Sequence, residues 1–420
     1  MSERKGIDIK MRDFSSKRKK DILVIAHFSF NPGAEKKVNS RFYSIVSMLP
    51  KNQYKVELVT SSFDHTSKRQ KNYSKQEIDS FEFKYTSIYE PGYSKNVCIR
   101  RFYSHYVMGV NLNKYLKNRE MPDIIYCSIP SNSVASVAAA YAKRNKIRFI
   151  IDVQDLWPEA FKMVFNIPIL SNIIFAPMIM KANIAYKQAD AVIAVSDTYK
   201  NRALKVNNKC KLGYTVFLGT SLKKFDYAVE DKKRKRNDSE VWLAYCGTLG
   251  HSYDLRCVMD ALSILKKRGY NRIRFVVMGD GPLRIMFEKY SNRKQIKVDF
   301  LGLLDYSEMC AVLSACDIAI NPIIHRAAQS IINKHGDYAA AGIPVINTQE
   351  NEEYRRLIEQ YNMGFNCENG NAGEIADRIE ELINSEKLRI SMGKNARLCA
   401  EEKFDRDVTY QAIVDVIDME

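Results

Sequence analysis

The sequence predicts an α/β protein with two Rossmann-like domains facing across a cleft. Three observations carry that expectation. The chain has 420 residues, too many for one ordinary core and enough for two domains of roughly 200 residues each. Short apolar runs alternate with helical stretches, which is the rhythm of a parallel sheet covered on both faces. That rhythm stops at a polar, basic stretch and then begins again.

In chain order, DILVIAHF (21–28) reads as a buried first strand, SRFYSIVSML (40–49) as a helix and YKVELVTS (54–61) as the second strand. DIIYCSIP (123–130), IRFIIDV (147–153) and AVIAVS (191–196) continue the sheet. In the second half, VWLAYCGTLG (241–250) is a strand running into a glycine turn, and DLRCVMDALSILKKRG is a helix. IRFVVMGDG (273–281), VDFLG (298–302), DIAINP (317–322) and PVINT (344–348) are further strands. The expected organisation is a flexible basic arm (1–20), an N-terminal domain (21–222), a basic linker (223–240), a C-terminal domain (241–402) and a last helix (403–420) placed so that it can cross back to the first domain.

The formal charge of +16 favours polyanionic partners: nucleic acid, anionic lipid heads or phosphorylated substrates. Nucleic acid is disfavoured, because no nucleic-acid motif and no aromatic–basic interleaving is present. Nine scattered cysteines without a C-x-x-C pair point to reduced thiols, with neither a disulfide framework nor a zinc site. No signal peptide is visible and no apolar run reaches about 20 residues, so the expected location is cytoplasmic. The nearest approach to a span is FNIPILSNIIFAPMIM (165–180), which two prolines and two asparagines interrupt.

The most informative stretch is SIINKHGDYAAAGIPVINTQ (330–349). Gly342 ends a helix and Pro344 prevents its continuation. Ala339, Ala340 and Ala341 let that helix lie close to a sheet. Ser330 or Asn333 is placed to cap it. A helix N-terminus suits a phosphate, and Lys334 in the first turn adds a full charge. Asp337, one turn on, can accept hydrogen bonds from sugar hydroxyls. An ordinary amphipathic helix with a Lys and an Asp on its wet face explains the stretch equally well when it is taken alone. Its neighbours favour the ligand. CGTLG (246–250), with Gly247 and Thr248, MGDGP (278–282), with Gly279 and Gly281, and FLG (300–302), with Leu301, place three glycine-bearing strand ends in the same half. Backbone at such turns can approach a diphosphate closely.

In order and spacing these motifs resemble the retaining nucleotide-sugar glycosyltransferases of family four, which have the GT-B fold. DVQDLWPEA (152–160) is similar to the Asp-Leu-Trp-Pro-Glu segment of members that build bacterial capsule or O-antigen polysaccharide. ADAVIAVSDTYKNRAL (189–204) and PGA (32–34) resemble further family segments. The resemblance implies transfer of a sugar from a nucleoside diphosphate, UDP above all, to a lipid-linked saccharide at the anionic inner face of the cell membrane. It implies retained configuration by a front-face mechanism with no cofactor and no metal. Donor-binding candidates are Gly33, Gly247, Thr248, Gly279, Gly281, Leu301, Ser330, Lys334 and Asp337; acceptor-binding candidates are Asn31, Asp155 and Glu159; catalytic candidates are Asp155, Gln329 and Lys334.

Two departures stand out. The family's two glutamates, separated by seven residues, fall here on Gln329 and Asp337. Many members hold the diphosphate with an Arg and a Lys where this chain has Thr248 and Tyr253, which leaves Lys334 the first candidate for that charge, ahead of His251, Arg256 and Arg326. For Asp155, capping of the next helix and an active-site role are compatible. Trp157 reads as core, and His27 as a structural histidine. DRD (405–407) reads as a helix cap, not a metal motif. A partner subunit that binds sugar nucleotide without turnover remains an alternative.

Overall fold

A computed structural model describes residues 18–30, 40–96, 98–164, 168–232, 239–325, 327 and 331–419, without the side chains of 162–172. The sequence candidates Asn31, Gly33, Gln329 and Ser330, together with Arg326, lie outside the described residues, as do most of the basic arm and of the linker run.

The N-terminal sheet contains β1 (Lys20–Ile25), β2 (Tyr54–Ser61), β5 (Lys84–Ile88), β6 (Ile124–Ile129), β7 (Arg148–Val153), β8 (Ala191–Ala194) and β9 (Gly213–Thr215). A small hairpin, β3 (Phe63–Asp64) and β4 (Arg69–Gln70), stands apart from it. The strand order is β5-β2-β1-β6-β7-β8-β9, and every pairing within this sheet is parallel. The C-terminal sheet contains β10 (Val241–Cys246), β11 (Ile273–Met278), β12 (Val298–Gly302), β13 (Ile318–Asn321), β14 (Val345–Asn347) and β15 (Gly364–Asn366). It is ordered β12-β11-β10-β13-β14-β15 and is also parallel.

The strand period of two sorts side chains to the two faces of each sheet. In β1, Ile22 and Val24 enter one core, and Leu23 and Ile25 the core on the opposite face. In β10, Trp242 and Ala244 face one core, and Leu243 and Tyr245 the other. Helices cover both faces, so β6 is buried at every position. In each sheet the order reverses at the first strand of its half: β1 lies between β2 and β6, and β10 between β11 and β13. Such switch points open crevices at the carboxyl ends of strands, where ligands bind.

The arm, the linker and three short strands depart from the sequence reading. β1 begins at Lys20, and Arg18 reaches Asp123 at 3.2 Å, so the end of the arm is part of the first domain. The expected linker opens with a helix, Leu222–Asp231, whose Leu222, Phe225 and Ala228 are buried in the C-terminal core. Its apolar residues recur at three-residue spacing among lysines and acids, which masked the pattern. The short strands β5, β9 and β15 were not read, because each has too few apolar residues to rise above its flanks.

The chain crosses between domains twice. Thr220 N donates to Phe404 O at 2.8 Å and Arg406 N to Thr220 O at 2.9 Å, which fastens the two crossings side by side. Beyond them, helix Gln411–Asp418 buries Ile413, Val414, Val416 and Ile417 in the N-terminal core, with Ile22 and Phe42. Arg148 caps its last turn through Val416 O and Ile417 O, which suits a cation at a helix C-terminus. Arg41 grips Asp152 with two hydrogen bonds and also donates to Val216 O and Phe217 O. Glu353 of the C-terminal domain accepts from Asp197 N at 2.6 Å at the start of helix Asp197–Leu204 in the N-terminal domain.

Candidate functional site

The C-terminal switch point opens into a cavity of about 460 Å³. Gly247, Thr248, Tyr253, Gly279, Leu303, Leu304, Lys334 and Asp337 are among the residues lining it. Close backbone approach explains the glycines. Gly279 has φ +146°, and a Cβ there would sit 1.9 Å from Gly247 O. No L side chain fits that turn without moving the strand end beside it.

Helix Asn333–Ala340 forms one wall, with Lys334 in its first turn. Asn333 is its first residue and does not cap it. The N-cap residue is Ile332, and its N–H donates to His335 Nδ1 at 3.2 Å. His335 stacks on Tyr354 with centroids 3.7 Å apart. Tyr338 accepts from Cys246 N and donates to Ile320 O, and so pins the helix to the ends of β10 and β13.

Lys334 is not on a wet face. Its side chain is buried, and its Nζ has no hydrogen-bond partner among the described residues. Nζ lies 4.2 Å from the Tyr253 ring centroid and 4.9 Å from that of Tyr245, so two aromatic faces replace water around it. Burial lowers its pKa to about 7. Among the described residues that amine meets ring faces and no counter-charge, and an anion in the cavity would complete its electrostatics.

Asp337 is buried as well. Tyr306 donates to its Oδ1 at 3.0 Å, and the Thr220 hydroxyl bonds Tyr306 at 2.5 Å. Burial raises the carboxyl to about 6, against the pull of those hydroxyls and of Arg406. Thr220 belongs to the interdomain crossing, so this carboxylate is joined to that crossing. That bond to Tyr306 was not legible in the sequence: nothing in FLGLLDY marks the tyrosine as a partner of a helix so far along the chain.

Two donor candidates sit elsewhere. Leu301 packs into the core behind the cavity, where Leu303 and Leu304 take its place as lining. Gly281 is a packing glycine, since a Cβ there would meet Leu249 O at 2.5 Å.

The N-terminal switch point carries a second constellation. Glu90 accepts from Ser61 Oγ at 2.5 Å and Ser104 Oγ at 2.6 Å, and lies 2.6 Å from His27 Nε2. Burial pushes its carboxyl up, and the charge and hydrogen bond of His27 outweigh that, so it stays well below the usual carboxylate range. His105 Nε2 lies 3.9 Å from the same carboxylate. Phe28 stacks on His27, and Trp157 on His105. His27, read from the sequence as a lone structural histidine, is buried in this cluster with its Nε2 on Glu90. Glu90, Ser61 and Ser104 were missed, since each is an ordinary polar residue in sequence.

Asp155 accepts from Leu156 N and from Trp157 Nε1, each at 2.9 Å. It fixes the indole and the chain turn ahead of helix Glu159–Val164. Burial raises its pKa. Trp157 is buried with Phe161 and Phe175, in the core as read. Glu159 pairs with Arg202 at 2.6 Å. In DRD, Asp405 caps helix Arg406–Thr409 by accepting from Asp407 N.

Residues 226–398 match the family described as "Glycosyl transferases group 1". Over 307 residues the chain is 23% identical to the capsular polysaccharide biosynthesis glycosyltransferase CapM of Staphylococcus aureus, covering 71% of this chain and 77% of that protein. The fold is similar to that of Anabaena Alr3699/HepE, solved in complex with UDP (TM-score 0.67, 14% identity, 95% of this chain and 99% of that one). It is also similar to WaaG, a glycosyltransferase involved in lipopolysaccharide biosynthesis (TM-score 0.64, 14% identity, 94% and 99%). The architecture is therefore GT-B, two Rossmann-like domains with parallel sheets.

Proposed function

We propose that the protein transfers a sugar, with retention of configuration, from a UDP-sugar to a lipid-linked saccharide during capsule or O-antigen synthesis. The reading places it at the inner face of the cell membrane. The observation that carries it is the cavity where glycine turns, the first turn of helix Asn333–Ala340 and the unpartnered Lys334 ammonium converge. A diphosphate fits there: the glycine turns let it approach the backbone closely, the first turn of helix Asn333–Ala340 and one cation meet its charge, and Lys334 stabilises the leaving group as the glycosidic bond breaks. This needs neither an enzyme nucleophile nor a divalent ion. The likeness to CapM supports a surface-polysaccharide role.

The test is transfer from a panel of UDP- and GDP-sugars to a short-chain lipid diphosphate saccharide in EDTA, with the product anomer read by NMR. UDP-dependent, EDTA-resistant transfer with retention supports the reading. Inversion, or strict metal dependence, overturns the corresponding part of it.

A second reading is a donor-binding partner subunit without turnover. It is favoured by Thr248 and Tyr253 at the positions where related enzymes carry basic residues, and by Asp337 being held by Tyr306. Measured turnover by the isolated chain eliminates it.

A further inference from the structure

We propose that the exposed faces of helices Ile99–Asn118 and Pro168–Gln188 form one surface that docks the N-terminal domain on an anionic lipid bilayer. The proposal rests on the lipid-linked acceptor of the preceding section. On the first helix, Ile99, Tyr103, Tyr106 and Val110 are exposed, from Val110 at 37% to Ile99 at 87%. Their spacing of four, three and four residues sets them on one stripe. Ser104, Met108, Leu112 and Leu116, on the opposite side, are buried. On the second helix, Ile173, Ile174, Met180 and Ile184 are exposed, Ile184 least at 44%.

The helices are neighbours. Lys181 Nζ lies 5.9 Å from the Tyr106 ring centroid. Phe102 and Phe175 both pack against Phe161 below, at 5.8 and 6.2 Å. The two stripes thus make a contiguous apolar patch, larger than singly scattered surface residues.

Charge identifies what covers it. Neither helix contains a single Asp or Glu, while Arg100, Lys114, Lys117, Lys181 and Lys187 lie along them. An apolar stripe with tyrosines, edged only by cations, matches the boundary between headgroups and acyl chains of an anionic bilayer. No helix among the described residues is long and apolar enough to cross a membrane, so the helices lie on the bilayer. The patch shares its aromatic cluster with Trp157, whose indole holds Asp155. Docking this face therefore brings the acceptor side of the cleft beside the headgroups.

The test is flotation with phosphatidylcholine vesicles containing phosphatidylglycerol at about 0.1 M salt, comparing wild type with Ile99→Ser/Tyr103→Ser/Val110→Ser. The wild type is expected to float, and the variant to bind at least tenfold more weakly. UDP-dependent thermal stabilisation of both checks that the variant is folded. Should the triple variant misfold, Tyr103→Ser alone is expected to weaken flotation measurably. Flotation of the variants equal to wild type overturns the proposal, as does a wild type that stays in solution or uses the patch to self-associate in sedimentation. Transfer to a short-chain acceptor in solution is expected to survive the substitutions, so the failure of that assay faults the proposed function, not the patch.

Discussion

The two halves place buried charge at the same point of the same architecture and treat it in opposite ways. In the N-terminal half, Glu90 is closed in by His27, Ser61 and Ser104 and kept ionised. In the C-terminal half, Lys334 and Asp337 are separate, desolvated and shifted toward neutrality, beside open volume. Satisfied charge of the first kind holds a fold together. Desolvated charge of the second kind, with Lys334 unpartnered among the described residues, costs stability and is kept where a ligand completes it.

Removing a partner from the closed network breaks this comparison most severely. Glu90→Ala is expected to cost about 3–5 kcal/mol, because it strands buried polar groups. Urea denaturation reads that loss, and UDP binding by the folded fraction should be unchanged.

The reverse pattern is expected for Lys334→Ala. Transfer should fall roughly 100- to 1000-fold, as when one stabilising donor is removed from a transition-state site. Thermal stability should hold or rise, since an unpaired buried cation is gone. A large loss of stability with activity retained would make Lys334 structural.

The shifted groups also give a pH signature. Lys334 titrates at about 7 in the folded chain, against 10.5 as its ordinary value. Between those values the unfolded chain binds more protons, so this lysine makes stability rise with pH. Asp337 titrates at about 6 against 3.8. There the folded chain binds more protons, and stability falls as pH rises. Together they place a minimum between about pH 6 and 7, and Lys334→Met/Asp337→Asn should flatten it in chemical-denaturation curves measured from pH 4 to 10. A difference curve without that minimum would remove both groups from the account.

The smallest effect expected is that of Tyr306→Phe, which deletes the hydroxyl that bonds both Asp337 and Thr220. It should cost about 1 kcal/mol in a urea melt and raise the Asp337 carboxyl further. A neutral result would mean that the link from Asp337 to the crossing at Thr220 carries no energy.

The sheets were legible because fully buried parallel strands leave unbroken apolar runs, as in DILVIAHF and VWLAYC. The short strands β5, β9 and β15 were not, since their pairing depends on neighbours far along the chain. The same split divides the site. Gly247, Gly279 and Lys334 announce themselves through turn chemistry and helix position, and the cavity brings them together. The partners of Asp337 and Glu90 come from distant segments, and a Tyr or Ser carries no local mark of such a role. Leu301 was misplaced by two residues because a strand's last inward side chain cannot be told from the first residue of its exit loop.

The most direct test of the central claim is calorimetric titration of UDP in EDTA into wild type and Lys334→Ala, each in two buffers of different ionisation enthalpy at about pH 8. If Lys334 receives the diphosphate, wild type binds UDP with proton uptake, while the variant binds at least tenfold more weakly with that uptake abolished. Equal affinity and equal proton uptake in the two proteins would contradict the account.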